Sequence, residues 1–203
     1  MKIYMMRHGE TDWNIIRRLQ GRSDIPLNEE GRRLARVTAE ALADVPFTRI
    51  YTSPLIRAKE TAMIIKGNRD IPVIEEERIQ EISFGAFEGF ICAEDNYTIP
   101  DPDFINFFKN PEKYVAPDGA EEIETLCNRT TDFLQELVHT TAYRDDIILI
   151  STHGAALRGL LSSVTMNSVA EFWKGGVHKN CAVTILEVQD GKIKLLEEGK
   201  IYY

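Results

Sequence analysis

A chain of 203 residues with 43% hydrophobic and 28% charged side chains has the make-up of an ordinary globular protein and can fill one core. Its formal net charge of −8 argues against nucleic acid or an anionic membrane as partner, since both need a basic footprint; a local basic pocket is still compatible with it. Cys92, Cys127 and Cys181 have neither zinc nor redox spacing, the N-terminal apolar run is too short for a signal peptide, and no stretch could span a bilayer, so a cytoplasmic protein with reduced thiols is expected.

In chain order, short apolar runs alternate with segments of helical period, the pattern of an α/β layered fold. Ile3 to Met6 reads as a buried strand. Residues 31–43 place Leu34, Val37, Ala41 and Leu42 on one helical face. Arg49 to Thr52 reads as a second strand, and Ser53-Pro54 as the start of a helix reaching Lys66. Residues 120–141 form a long amphipathic helix with Ile123, Leu126, Phe133, Leu134 and Leu137 on its apolar side. Asp146 to Ser151 is a strand, and the C-terminal part reads as a hairpin turning at Asp190-Gly191. No linker-like break appears, which predicts one domain over residues 1–203. Residues 90–118 stand apart, with four prolines and six aromatics.

Ligands in open α/β folds gather at the carboxyl ends of strands. The first strand runs into Arg7-His8-Gly9, the second into Ser53-Pro54 and then Arg57, and the 146–151 strand into Thr152-His153-Gly154. Two histidines and two arginines therefore emerge at neighbouring strand–helix junctions, where free backbone N–H groups also suit a phosphate. Phosphoryl transfer spreads negative charge over three oxygens, so it needs positioning and fixed positive charge, and arginine supplies forked donors for it. A neutral imidazole can attack phosphorus and split one displacement into two. Glycine after each histidine would let the backbone approach the ligand. Taken singly, a histidine at a strand end is more often structural, and Arg57 on a helix is more often a solvated charge. Their coincidence at three junctions is what favours chemistry. His139 reads as a helix-end residue, and His178 is undecided.

The segments RHGETDWN, LQGRSDIPLNEEG, YTSPLIRAKETA, RIQEISFGAFEG, STHGAALR and NCAVTILE resemble, in order, the signatures of the histidine phosphatase superfamily, which includes phosphoglycerate mutases and small phosphatases. The resemblance implies a three-layer α/β sandwich, with a mostly parallel sheet and helices on both faces. It makes His8 the nucleophile, with His153 as a second catalytic histidine. Arg7, Asn14, Arg57 and Gly154 become phosphate-binding residues, and Glu81 the acid that protonates the leaving oxygen. That role needs Glu81 protonated when the ester binds. No metal and no cofactor is implied. Phe87 stands where the family commonly has Trp, and residues 117–121 only approximate a usual motif.

The expected activity is hydrolysis of small phosphate monoesters through a phosphohistidine, with a small-molecule ester as partner and a homodimer allowed. The alternatives are a phosphoglycerate mutase and a catalytically silent phosphate-binding protein. A mutase must shield its phosphohistidine from water and is usually longer. A metallohydrolase is disfavoured, since no His-rich ligand spacing is present. Residues 90–118 are expected to form a lid or substrate-selecting insertion. Phe104, Phe107 and Phe108 would share one helical face, towards either the pocket or the core. With only Lys109 and Lys113 as cations, that stretch predicts a moderately apolar or aromatic substrate.

Overall fold

The computed structural model describes residues 1–203. Its elements, in chain order, are β1 (Lys2–Arg7), α1 (Asp12–Ile15), α2 (Glu29–Ala41), β2 (Arg49–Thr52), α3 (Ile56–Lys66) and β3 (Val73–Glu75). A small hairpin, β4 (Cys92–Ala93) and β5 (Asn96–Tyr97), precedes α4 (Asn106–Lys109), α5 (Ile123–His139), β6 (Ile147–Thr152) and α6 (Gly154–Thr165). The closing hairpin is β7 (Val183–Gln189) and β8 (Lys192–Lys200).

The main sheet has six strands in the order β3-β2-β6-β1-β7-β8. The first four run parallel, and β7 and β8 pair antiparallel. Alternation along each strand feeds both faces. Ile3, Met5, Ile148 and Ile150 pack with Phe133, Leu134, Leu157 and Leu160 of α5 and α6. Met6, Ile50 and Leu149 pack on the other face with Leu34 and Ala35 of α2 and Ala62 and Ile65 of α3. The expected α/β sandwich is therefore present, with helices on both faces. The chain skips a place between β1 and β2, and β6 later fills it.

Three segments differ from expectation at their ends. The 31–43 helix runs instead from Glu29 to Ala41, because Asn28 accepts the N–H of Gly31 and caps it two residues early. The 120–141 helix shortens to Ile123–His139. The helix expected from Ser53-Pro54 begins only at Ile56. Ser53 is not its cap: its Oγ bonds His153 Nε2 at 2.7 Å and accepts the Leu55 N–H at 3.3 Å, while Asp24 from a distant loop accepts the Ile56 N–H at 2.6 Å.

Residues 90–118 cover a third apolar cluster beside the carboxyl ends of the strands. Phe104 and Phe107 are buried in it at 2% and 1% exposure, with Phe84, Tyr114 and Phe172 around them. Phe108 is only half-buried. The shared aromatic face therefore divides: two rings are core and the third reaches the surface of the site. The cause is the backbone, which changes from a 3-10 turn over Pro102–Ile105 to α4 within this stretch.

Candidate active site

The register of the sheet brings the three junctions together. Arg7 pairs with Thr152 and Thr52 with Ser151, so His8, His153 and Ser53 each leave a strand at the same level. His8 N–H bonds the Thr152 carbonyl at 2.9 Å, and Ser53 N–H the Ser151 carbonyl at 3.0 Å. A cavity of about 120 Å³ opens there. Arg7, His8, Asn14, Arg57, Glu81 and Gly154 all lie on its wall, gathered from sequence positions nearly 150 residues apart.

His8 is buried, and its Nδ1 lies 2.6 Å from the carbonyl of Gly9. A carbonyl only accepts, so Nδ1 carries the proton and Nε2 keeps its lone pair. Burial first, then the charges of Arg57 and Arg7, hold His8 well below the usual histidine range, so the imidazole is neutral. Gly9 in turn donates its N–H to Thr61 Oγ1 at 3.0 Å. A side chain at Gly9 would meet the Gly31 carbonyl oxygen at 2.6 Å, so this glycine serves packing against α2 rather than contact with a ligand. Gly154 is different. A Cβ there would point at Arg7 Nε and Glu81 Oε2, each 3.7 Å away, inside the pocket.

Arg57 is fully buried, and its fork is held on the protein side. Its terminal nitrogens each donate at 2.7 Å, to the carbonyls of Ser23 and Gly21, and its Nε donates to His153 Nδ1 at 3.2 Å. Burial lowers it to about 10, so it stays charged at neutral pH. Arg7 donates to the His178 carbonyl at 2.6 Å, while its Nε is buried with no partner. Asn14 accepts the Thr11 N–H at 3.0 Å through Oδ1, which leaves its amide N–H₂ available to the cavity.

His153 lies one layer behind the wall. It is fully buried, its Nε2 is 2.7 Å from Ser53 Oγ, and its ring centroid is 5.2 Å from that of His8. Because Arg57 can only donate, His153 Nδ1 is the acceptor and Nε2 carries the proton. Burial, then Arg57 and His8, keep it neutral. It positions Arg57 directly, a contact that the position of its strand end alone does not reveal.

Glu81 Oε1 accepts the N–H groups of Ile82 and Ala156 at 3.0 and 2.9 Å, and Oε2 accepts that of Ala155 at 3.2 Å. The carboxyl is thus pinned at the N-terminus of α6, with Oε2 the less occupied oxygen. Arg129 of α5 grips the same segment from behind. It donates to the carbonyls of Arg78 and Gln80 at 2.7 and 2.9 Å and of Glu81 at 3.2 Å, and pairs with Glu121 at 2.6 Å.

Phe107 and Phe108, of the expected aromatic face, line the wall, and Arg18, Phe84 and Trp173, which went unremarked in the sequence, complete much of it. Asn180 donates to the His8 carbonyl at 3.0 Å and to Asn14 at 3.3 Å. The NCAVTILE segment was the only signal for Asn180. The undecided His178 supplies its carbonyl to Arg7, and its ring bonds Thr184 at 3.0 Å. Of the two lysines in the 90–118 stretch, only Lys109 reaches a chamber adjoining the cavity, where Arg17 and Arg18 also stand.

The pattern of the histidine phosphatase superfamily (branch 1) matches residues 3–200. The uncharacterized phosphatase PhoE of Bacillus subtilis is 37% identical over 163 residues, spanning 80% of this chain and 77% of its own. A probable phosphoglycerate mutase, GpmB, of Serratia proteamaculans is 40% identical, over 81% of this chain and 74% of its own. Among solved structures, Bacillus stearothermophilus YhfR superposes with a TM-score of 0.90 at 35% identity, covering 98% of this chain and 97% of that one.

Proposed function

Since the chain belongs to the histidine phosphatase superfamily, we propose that it hydrolyses small phosphate monoesters through a phosphohistidine at His8. The observation that carries this is the state of His8: neutral, buried, with Nδ1–H tied to Gly9 and Nε2 free beside two arginines. The Nε2 lone pair attacks phosphorus, and the ester oxygen leaves with its bonding pair. Arg7, Arg57 and the amide of Asn14 hold the three non-bridging oxygens as charge spreads onto them. Glu81 stands with Oε2 towards the cavity to give the leaving oxygen its proton. As carboxylate it then takes a proton from the water that breaks the P–N bond, which regenerates His8 and releases phosphate.

Hydrolysis is favoured over mutase transfer because the neighbouring chamber is lined by exposed Arg17 and Lys109, which leaves the pocket open to water. Metal independence is part of the proposal. The arginines supply the cationic charge, and the single carboxylate on the wall, Glu81, is already occupied by three backbone N–H groups. No cofactor enters the scheme. The free thiols of Cys92, Cys127 and Cys181 support a reducing, cytoplasmic setting, and the charge of −8 supports the reading without nucleic acid. No helix is long and apolar enough to cross a membrane. All site residues lie within one chain, so a homodimer is allowed but not needed for chemistry. The 1–203 chain is read as one domain, with 90–118 shaping the entrance.

The test is to quench the enzyme during turnover of a labelled aryl phosphate. Wild type should carry acid-labile, alkali-stable phosphate, and His8→Ala should carry none and lose turnover while folded. Activity should persist in excess chelator and fall with vanadate, which adopts the five-coordinate geometry of the transition state. Substantial turnover by folded His8→Ala would overturn the covalent route, and loss to chelator with rescue by a divalent ion would overturn the arginine account.

A further inference from the structure

Beside the phosphate cavity lies a chamber of about 510 Å³ that shares Arg7, Asn14, Arg18, Phe108 and Val177 with it. It is large enough for an organic group of drug-fragment size. Its wall combines apolar and aromatic surface, Trp13, Ile105 and Phe108, with the cations Arg17, Arg18 and Lys109. Glu94 is the only acid there. A chain with a net charge of −8 has thus gathered cations in one hollow.

None of the three enters an ion pair anywhere in the protein, whereas Arg22, Arg32, Arg33, Arg49, Arg78 and Arg129 all do. Arg18 is the most informative. Its guanidinium lies 5.2 Å from the centre of the Trp13 ring, which orients the fork, and its Nε is buried without any acceptor. The Arg18 side chain makes no hydrogen bond within the protein, so the terminal nitrogens of this oriented guanidinium are free to take an anionic acceptor on the ligand. Arg18 also touches both hollows, so an acceptor bound to it lies a short organic spacer away from phosphorus.

We infer that this chamber receives the organic half of the ester, and that it selects substrates carrying an aromatic or apolar body together with a second anionic group such as a carboxylate. The inference rests on the phosphatase reading and narrows its substrate class. It adds an anionic group to the expected moderately apolar or aromatic substrate, an expectation that counted only the lysines of residues 90–118. The added charge comes from Arg17 and Arg18, in the loop after α1.

The test compares binding of phenylphosphonate and 4-carboxyphenylphosphonate, which need no turnover, with hydrolysis of the matching phenyl phosphates measured alongside. In wild type the carboxylated phosphonate should bind about tenfold more tightly, as expected for one charge-assisted contact. Arg18→Gln should cut that preference to about twofold, and Lys109→Gln should reduce it partially. The reading is a ratio, so a general loss of affinity cancels. Lys113→Gln, in the same stretch but outside the chamber, should leave the ratio intact. An equal affinity for both phosphonates, or a preference that survives Arg18→Gln and Lys109→Gln, overturns the inference while leaving hydrolysis of phenyl phosphate standing. A clear preference without hydrolysis of either ester would keep the chamber and remove the phosphatase. If neither phosphonate binds, the chamber reading falls, and if neither ester is hydrolysed as well, both readings fall.

Discussion

Arg57 Nε and His153 Nδ1 are 3.2 Å apart in a fully buried contact, and this fixes the proton of His153 on Nε2. His153 then works chiefly as a support for the arginine. Replacing it with Gln, which keeps an acceptor for Arg57, should retain kcat/KM within about tenfold. Replacement with Leu should cost about 10²-fold or more, on the scale of losing a fixed oxyanion donor. Equal loss in both variants would show that the imidazole itself reaches the phosphoryl group.

Glu81 and Arg129 form a second such couple, since Arg129 holds the carbonyls of Arg78, Gln80 and Glu81. Glu81→Gln should harm alkyl phosphates far more than p-nitrophenyl phosphate, whose leaving group hardly needs a proton. Arg129→Met should move the same ratio in the same direction, by about tenfold, because it releases the segment carrying the acid. A structural role alone would lower both substrates equally. An unchanged alkyl-to-aryl ratio in folded Arg129→Met would therefore separate the two residues.

How far the sequence reached depends on the kind of interaction. Strands and junctions were legible because apolar alternation and strand-to-helix changes are local patterns, and β2 appeared with its observed bounds at Arg49–Thr52. Helix starts were less legible, because α3 takes its cap from Asp24 while Ser53 serves His153. Arg18 and Asn180 escaped notice since their roles arise only when distant segments meet. Phe104 and Phe108 share a helical period, yet the 3-10 turn separates their environments.

Protonation should make stability depend on pH above the carboxylate range. His8 and His153 are held well below the usual histidine value, and His178 falls to about 4, each chiefly through burial. In the unfolded chain all three titrate near 6.5, so below that pH the unfolded state binds more protons. Stability is then fully present above pH 6.5 and declines as pH falls towards 4. The slope is up to about 4 kcal/mol per pH unit if all three protons are excluded from the fold. Urea unfolding at pH 7.5, 6.5 and 5.5 measures it. A flat profile would mean that these histidines accept protons without unfolding.

Phe104 and Phe108 should part company on mutation. Phe104, at 2% exposure among Phe84, Phe87 and Tyr114, should cost about 3–5 kcal/mol of stability as Ala. Phe108, half-buried on the walls of both hollows, should cost less and change the ranking of esters. Denaturant midpoints and a panel of esters read the two effects. A large stability loss for Phe108→Ala with an unchanged ranking would assign it to the core as well.

The backbone of Gly9 and Glu10 lies against that of Gly31: a Cβ on Gly9 would strike the Gly31 carbonyl, and one on Gly31 would strike the Glu10 backbone. Helix α2 sends no side chain into the cavity, yet its first turn is the stop against which the His8 loop rests. The nucleophile is therefore located by the thickness of two peptide chains, a dimension that rotamer changes cannot alter. Selection on the reaction must extend to position 31, which never meets a substrate and where the required feature is hydrogen in place of a side chain.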